Sequence, residues 1–351
     1  MNDKMTALVF EGTGEMALRD IPTPPLLEGE AIIRVDAVGI CGTDLDIYHG
    51  HNAEKLMGTV LGHEFAGTVI ASSNEAELAR GVRVAVNPRS PCGVCEFCRQ
   101  GRDNLCVDRG CVAFTRPGAF AEYVAFPLAS AIPVPANLSC THAALAEPAA
   151  TVLNALTRAE RILQMSLLHS DVLVIGGGAI GMLTAAYLTQ RGCKSVVVAE
   201  TNALRRKTID RHIGCSVIDP RIETGVVAAF DLIVDAVGSG ATRKAAVAAC
   251  RSGGVIQNIG LQQNVSEIDM QRITYGEITL SGCLAYTEGD MRSAVDKIGR
   301  GMFGDLSWIE TRSLVHGTDA FQELAAGIVA SPKIVLLPDA TKVVQAGSAI
   351  S

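Results

Sequence analysis

The chain has 351 residues, of which 48% are hydrophobic and 19% are charged, and its net charge is −7. This composition excludes a disordered, highly charged chain, and at about 150 residues per domain it predicts two globular domains. The negative balance also argues against nucleic acid or an anionic membrane surface as a partner. No apolar run reaches the roughly 18 residues of a membrane helix and no export signal opens the chain, so we expect a cytosolic protein.

The first part of the chain, up to about Pro135, contains short apolar or alternating runs that Gly and Pro interrupt. Period-two alternation between such breaks is typical of half-buried strands. The sequence therefore predicts a β-rich, barrel-like unit. Its predicted strands cover residues 7–10, 31–35, 67–70, 82–86 and 122–125.

Past Thr141 the pattern changes, because residues 143–163 are rich in Ala and Leu and predict a helix. Continuous apolar runs then alternate with helical stretches, which indicates a parallel sheet covered on both faces. The second unit is therefore predicted to be α/β, and the segment from Ala340 onward, without a core pattern, is expected to be weakly ordered. The predicted strands cover residues 172–175, 195–199, 231–234, 254–259, 278–280 and 333–337.

A glycine run at Gly176, Gly178 and Gly181 lies between a predicted strand and a small-residue helix at 182–190. The first glycine permits a tight turn, the second lets the backbone approach a pyrophosphate, and the third lets the helix pack close to the sheet. The helix N-terminus adds free N–H groups and a partial positive charge. The run predicts a dinucleotide site, and the alternative is a glycine turn with no ligand.

Glu200 ends the next predicted strand, where a carboxylate can accept hydrogen bonds from the adenosine ribose. The same carboxylate would repel the 2′-phosphate of NADP, so the sequence favours NAD. Arg205, Arg206 and Lys207 lie just beyond it and leave NADP open.

Cys92, Cys95, Cys98 and Cys106 are grouped in one short lobe, at about residues 88–110. Four thiolates at short spacing match a closed, tetrahedral structural zinc site. An iron–sulfur cluster can use similar spacing, but nothing else in the sequence indicates electron-transfer chemistry.

A second metal position is indicated by two loop segments, Cys41-Gly42-Thr43-Asp44 and Gly62-His63-Glu64. One thiolate, one imidazole and one carboxylate can hold a catalytic zinc that keeps a coordination place for substrate. Taken alone, a single Cys and a single His are more often packing residues, so only their combination with the other motifs supports this interpretation.

These motifs, together with Ala146-Glu147-Pro148-Ala149, occur in the order found in zinc-dependent medium-chain dehydrogenases. The chain resembles that superfamily of alcohol, polyol and threonine dehydrogenases from about Met5 to Pro338. The resemblance implies a GroES-like β-barrel catalytic domain over residues 1–150 and 286–351. It also implies a Rossmann domain, with a doubly wound parallel sheet, over residues 151–285.

The resemblance also implies site residues, two zinc ions per chain and NAD as cofactor. Cys41 and His63 would hold the catalytic zinc with Glu64 or Glu147, and Asp44 would support them from behind. Thr43 would take the hydroxyl proton, with Asp46, His49 or His51 continuing the path. The remaining residues implied around the cofactor are Ile180, Arg205, Ile259, Gly260, Leu261, Leu284 and Tyr286.

Three departures from the family pattern bear on the substrate. Asp46 replaces a histidine of many relatives, Val82 replaces the aspartate of a usual Gly-Asp pair, and Ala285 replaces an arginine of sorbitol-type enzymes. Glu147 is shared with the polyol and threonine branches rather than with ethanol-type enzymes. We therefore expect a secondary alcohol with polar neighbours, such as a polyol, with L-threonine as the alternative substrate. A non-catalytic protein that senses redox state is the third hypothesis, and resemblance suggests a homodimer or homotetramer.

Overall fold

The computed structural model describes residues 3–223 and 227–338, so the expectation for the segment from Ala340 onward lies outside the described residues. It contains a β-rich unit and a parallel-sheet unit. The N-terminal elements are β1 (Lys4–Gly12), β2 (Glu15–Pro22), β3 (Glu30–Gly39), α1 (Gly42–Tyr48), α2 (Ala53–Leu56), β4 (Thr59–Val60), β5 (Glu64–Ser72), β6 (Arg83–Val86), β7 (Arg89–Pro91), α3 (Glu96–Arg99), β8 (Arg109–Cys111), β9 (Tyr123–Pro127), β10 (Ala131–Pro133), α4 (Cys140–Ala143) and α5 (Ala146–Ile162).

The remaining elements alternate between strand and helix before they return to the β-rich unit. They are β11 (Asp171–Ile175), α6 (Ala179–Gln190), β12 (Ser195–Ala199), α7 (Ala203–His212), β13 (Ser216–Ile218), β14 (Phe230–Asp235), α8 (Gly240–Ala249), β15 (Cys250–Asn258), α9 (Met270–Tyr275), β16 (Thr279–Gly282), α10 (Glu288–Gly299), β17 (Glu310–Ser313), α11 (Gly317–Ala326) and β18 (Ile334–Leu337).

The β-rich unit is organised around β3, which pairs antiparallel with β5, β9 and β18. Because strands flank β3 on both edges, most of its residues are buried. The last described strand, β18, thus completes a sheet that the first part of the chain begins. This long-range pairing brings the C-terminal segment to the loop that follows β3.

The parallel-sheet unit has the strand order β13-β12-β11-β14-β15-β16, with every adjacent pair parallel. The order reverses between β11 and β14, and ligands of such sheets bind in the crevice at that edge. The predicted α/β architecture with a β-rich domain is confirmed. The short edge strand β13 was not predicted, because three partly exposed residues give no apolar run.

The helix predicted at residues 143–163 begins later, at Ala146, because a separate short helix, α4, precedes it. Pro148 falls in the first turn of α5, where its missing N–H would have no intrahelical acceptor. The buried face of α5 packs against α6, α10 and the parallel sheet within one hydrophobic core. A separate core fills the β-rich unit. Within the described ranges, no helix is both long and apolar enough to cross a membrane.

Arg83 supports the connection between the two units. Its guanidinium donates to the carbonyl oxygens of Leu138 at 2.7 Å and of Pro135 and Ala136 at 3.1 Å each. We predict that Arg83→Met lowers the free energy of unfolding by about 1–3 kcal/mol, because these carbonyls lose a charged donor. Urea denaturation measures the change.

The matched control is Arg300→Met, since Arg300 is 70% exposed and pairs only across one helical turn with Asp296. That substitution should cost about 0.5 kcal/mol or less. Equal unfolding midpoints for the two variants would show that Arg83 does not support the connection.

Candidate active site

The four predicted lobe cysteines converge on one point. The Cys92 and Cys98 Sγ atoms are 4.0 Å apart, and the Cys95 and Cys98 Sγ atoms are 3.5 Å apart. Four thiolates at about 2.3 Å from one tetrahedral zinc lie about 3.8 Å from each other. The Sγ atoms of all four cysteines, Cys106 included, lie within 4.8 Å of one another. The residues present therefore fit one zinc ion.

The backbone of the lobe stabilises thiolates. The N–H of Cys92 donates to Sγ of Cys106, and the N–H of Cys95 donates to Sγ of Cys92, both at 3.3 Å. A hydrogen bond from the backbone of Cys98 lowers the pKa of the Cys95 thiol to about 6. Burial, and then the hydrogen bond with Cys95, raise the pKa of the Cys98 thiol to about 12. A thiolate is the form that binds zinc, so in the metal-free lobe Cys95 is the thiol that ionises before Cys98.

The lobe is attached to the segment that precedes α10. The Asn104 side chain donates to the Leu284 carbonyl at 2.9 Å, and the Asp103 carboxylate accepts the Glu288 N–H at 3.0 Å. Arg89 in turn donates to the Asn104 carbonyl at 2.7 Å and stacks on the Tyr286 ring, 5.9 Å from its centroid. The fold of the lobe therefore also fixes the chain around Tyr286.

The second predicted metal position is also assembled. Ligand atoms of Cys41, His63 and Glu64 lie within 4.8 Å of one another. Cys41 is the residue before α1, and His63 follows Gly62, whose φ is +91°. A side chain at Gly62 would place its Cβ 2.9 Å from the Phe120 ring, so glycine is required for this loop to pass. Two distant loops thus place a thiolate and an imidazole together.

Asp44 connects these two loops. Its fully buried carboxylate accepts the Cys41 N–H at 2.9 Å and the Gly62 N–H at 3.4 Å. One of its oxygens lies 3.5 Å from Nδ1 of His63, so Nε2 of that ring would be the nitrogen that binds a metal. Burial lowers the pKa of His63, but the charges of Asp44 and Cys41 outweigh it and the net pKa is raised. These contacts are the ones that a residue supporting Cys41 and His63 from behind would make.

Lys333 is a site residue that the sequence analysis did not identify. Its ammonium donates to Oε2 of Glu64 at 2.5 Å and to the Ile40 carbonyl at 2.8 Å, and Lys333 and Glu64 are each 1% exposed. Glycine at position 39 leaves room for the carboxylate, because a Cβ there would lie 2.4 Å from Oε2. A lysine directly before the apolar strand β18 was the available signal, but its partner is distant in sequence.

Glu147 lies in the first turn of α5, close to this cluster but outside the group of mutual ligand distance. Burial, and then the negative charge of Glu64, raise its pKa to about 7, while His63 opposes that shift. The fully buried Tyr286 hydroxyl is near Glu147, although no atom of the described residues lies within 3.5 Å of it in hydrogen-bonding geometry. Tyr286, predicted as a cofactor contact, is therefore placed beside the candidate metal site.

The proton-path candidates lie along α1 and the turn after it. The Thr43 hydroxyl is exposed and 3.7 Å from Sγ of Cys41. Asp46 is exposed on the same helix, but partial desolvation of its carboxylate by the surrounding chain raises its pKa, while the nearby His51 and His49 oppose that shift. The structure groups these residues without selecting one path among them.

The glycine run has the geometry of a pyrophosphate cradle. A Cβ on Gly181 would lie 1.8 Å from the Gly176 carbonyl oxygen, so helix and turn touch there. A Cβ on Gly178 would meet nothing within 4 Å, so the space in front of the α6 N-terminus is open. This opening, at the end of β11, fits a dinucleotide phosphate.

Glu200 is buried against the same turn. Its carboxylate accepts the N–H groups of Gly177 and Asn202, both at 2.6 Å. Nε of Arg205, on the helix that follows Glu200, is buried, and none of the described residues accepts its hydrogen, so a ligand could supply an acceptor. These residues fit the adenosine half of a dinucleotide.

The other predicted cofactor contacts lie at the ends of neighbouring strands. Gly260 packs directly on the turn after β14, since a Cβ on Gly238 would be 1.9 Å from its carbonyl oxygen. Ile180 and Ile259 are half-buried, whereas Leu261 and Leu284 are 74% and 43% exposed. Asp235, which the sequence analysis missed, holds the turn after β14 by accepting the Val237 and Gly238 N–H groups at 3.0 and 2.9 Å.

Comparison with known proteins agrees with this geometry. Residues 27–136 match the alcohol dehydrogenase GroES-like domain, and residues 179–300 match the zinc-binding dehydrogenase domain. The L-threonine 3-dehydrogenase of Pectobacterium carotovorum is 32% identical over 276 residues, which is 75% of this chain and 78% of that protein. The Yersinia pestis enzyme of the same name is 31% identical over 277 residues, or 76% of this chain and 80% of that protein.

Solved structures show the same fold with dinucleotides. A putative zinc-binding dehydrogenase of Sinorhizobium meliloti, bound to NADP, is 28% identical with a TM-score of 0.85 over 96% of this chain and 100% of that one. Acetophenone reductase of Geotrichum candidum, in complex with NAD, is 25% identical with a TM-score of 0.85, and the match covers 96% of this chain and 98% of that one. The chain belongs to the zinc-dependent medium-chain dehydrogenases, a family of NAD(P)-dependent oxidoreductases.

We predict that Cys95→Ser removes one zinc ion per chain and lowers the melting temperature, because a structural zinc contributes directly to the folded state. Differential scanning calorimetry and metal analysis measure both quantities. Cys193→Ser, at a half-buried cysteine outside the lobe, is the control and should keep the metal. An unchanged melting temperature in Cys95→Ser would show that the lobe is not a zinc site.

Replacing Lys333 should be costly because it leaves the Glu64 carboxylate buried and unpaired. We predict that Lys333→Met lowers the free energy of unfolding by about 3–5 kcal/mol in protein whose Cys41–His63 site holds no metal. The double variant Lys333→Met/Glu64→Gln should recover part of that loss, as measured by denaturant unfolding. A double variant no more stable than Lys333→Met would contradict the ion-pair explanation.

Proposed function

We propose that the protein is a zinc-dependent dehydrogenase that transfers a hydride between a polar secondary alcohol, such as a polyol, and NAD. The observation that carries this proposal is the convergence of Cys41, His63 and Glu64 within 4.8 Å. Separately, the glycine turn that follows β11 leaves open space for a dinucleotide phosphate. A site with a thiolate, an imidazole and a carboxylate can leave one coordination place for substrate.

When bound, zinc supplies a Lewis acid for the substrate hydroxyl and the nicotinamide supplies the hydride acceptor. In this proposal Cys41 and His63 hold the ion, and Glu64 or Glu147 is the carboxylate that joins them. Asp44 orients the imidazole of His63. Thr43 receives the hydroxyl proton and passes it toward solvent along α1.

The preference for NAD rests on Glu200. Backbone N–H groups hold its carboxylate at the glycine turn, on the side where the adenosine ribose would lie. A fixed negative charge there opposes the 2′-phosphate of NADP. The S. meliloti relative with bound NADP makes a parallel measurement of both cofactors necessary.

L-Threonine is the second candidate substrate. The observation that favours it is the 30–32% identity to several L-threonine 3-dehydrogenases over about three quarters of the chain. Glu147 fits both candidates, because the sequence shares it with both branches. The absence of an arginine at Ala285 weakens only the sorbitol-type assignment.

The domain limits and the assembly belong to the same proposal. We keep the catalytic domain at residues 1–150 and 286–351 and the cofactor domain at 151–285, which the pairing of β18 with β3 supports. A reducing, cytosolic location suits zinc sites that require free thiolates. A homodimer or homotetramer remains our expectation for the assembly.

A substrate panel tests the proposal. Zinc-loaded protein is offered pentitols, hexitols, L-threonine and ethanol, each with NAD or NADP, and formation of reduced cofactor is followed by absorbance. We predict the highest kcat/KM with a polyol and NAD. Turnover of L-threonine alone would move the assignment to the second candidate, and no turnover with any of these alcohols would contradict the proposal.

The companion variant is Cys41→Ser, which should lose turnover and one of two zinc ions while it still binds NADH. Cys140→Ser, at a cysteine that lies beside Asp36 and away from the cluster, is the control. Full activity and unchanged zinc content in Cys41→Ser would support the non-catalytic alternative.

A further inference from the structure

Two carboxylates lie side by side at the adenosine end of the cofactor crevice. The strands β12 and β13 are parallel, with Ala199 opposite Ile218, and the N–H of Glu200 donates to the Ile218 carbonyl at 3.1 Å. Asp219 is the next residue after β13 and therefore lies beside Glu200. Both carboxylates are only 6% exposed. The cofactor assignment uses Glu200 but gives Asp219 no role.

Asp219 holds two arginines. Its carboxylate accepts Nε and Nη2 of Arg221 at 2.9 and 2.6 Å, and it lies 3.1 Å from Nη2 of Arg206. Arg206 also donates to the carbonyls of Glu200 and Thr201 at 2.9 and 2.7 Å. Arg221 donates to the Thr201 carbonyl at 2.7 Å. Both guanidinium groups are thus close to Glu200, the proposed ribose ligand, but they donate their hydrogen bonds to Asp219 and to backbone carbonyls.

Arginine is the side chain that best recognises a phosphate, because its planar fork donates two parallel hydrogen bonds. An arginine near the end of the second strand is how dinucleotide folds accept the 2′-phosphate of NADP. Here two arginines and two carboxylates form a group without net charge. The arrangement holds the guanidinium groups of Arg206 and Arg221 against Asp219 and the backbone, whereas Arg205 lies outside this group.

We propose that Asp219 is a specificity-determining residue, which restrains Arg221 beside Glu200 and so disfavours the 2′-phosphate of NADP. Arg221 is the arginine that the carboxylate controls, because it is 62% exposed and Asp219 accepts two of its donors. Arg206, 21% exposed, keeps two carbonyl partners of its own. The proposal rests on the cofactor assignment made above and adds a second determinant to Glu200.

The test is Asp219→Asn in the zinc-loaded protein. The amide oxygen can still accept the Arg221 N–H that closes the turn after β13, now at 3.0 Å, so the backbone should stay in place. The substitution removes one negative charge and leaves the group with a net positive charge. Dissociation constants for NADPH and NADH are measured by fluorescence titration, which does not depend on turnover.

We expect the NADPH dissociation constant to fall about tenfold, the equivalent of one new charged hydrogen bond. The NADH constant should change by no more than about twofold. Asp219→Asn combined with Arg221→Ala should lose the gain. Asp231→Asn, which removes the charge from another carboxylate–arginine pair at the start of β14, is the control and should leave the ratio of the two constants unchanged.

Each other outcome overturns the assignment. An unchanged NADPH constant in Asp219→Asn, or equal weakening of both cofactors, would give Asp219 a purely structural role. A gain that persists without Arg221 would exclude that arginine as the phosphate ligand. If the unmodified protein bound neither NADH nor NADPH, the cofactor assignment itself would fail, and this result is distinct from normal NADH binding with no effect of the variants.

Discussion

The ion pair between Lys333 and Glu64 joins β5, in the first part of the chain, to the segment before the last described strand, β18, at the candidate active site. Glu64 is the first residue of β5 and follows the candidate metal ligand His63, and Lys333 precedes β18, the last described strand of the same sheet. A buried charge pair is not itself a large source of stability, because desolvation offsets much of the attraction. Its effect is on geometry, since the same ammonium also binds the Ile40 carbonyl beside Cys41. The pairing of the C-terminal strand therefore adds to the contacts that Asp44 makes in positioning the Cys41 loop.

This dependence explains which parts of the structure the sequence could predict. The glycine run and the four cysteines are local patterns, and a turn or a metal lobe uses residues that are neighbours in the chain. Both features could therefore be located directly from the sequence. Cys41 and His63 are separated by α1, α2 and β4, and only the resemblance to a family suggested that they meet.

Lys333, Asp219 and the placement of Tyr286 could not be predicted for the same reason. Each depends on a contact between residues far apart in sequence or on a strand too short to leave a periodic signal. β13 has three residues, yet its pairing with β12 is what places Asp219 beside Glu200. The predicted start of the helix at residue 143 was too early, because the Ala- and Leu-rich composition continues through the break between α4 and α5.

The same type of interaction holds three loops at the candidate metal and cofactor sites. Asp44, Glu200 and Asp235 are buried carboxylates, and each accepts two backbone N–H groups from a loop that would touch metal or cofactor. Backbone donors satisfy the buried charge and at the same time fix the loop, so the carboxylate needs no cation of its own. A loop already held in its binding conformation loses less conformational entropy when a ligand arrives. Asp219 differs because, besides one backbone N–H, its partners are arginine side chains. One substitution can remove the charge pairing while the backbone bond and the loop remain, and specificity can therefore change there without loss of the crevice.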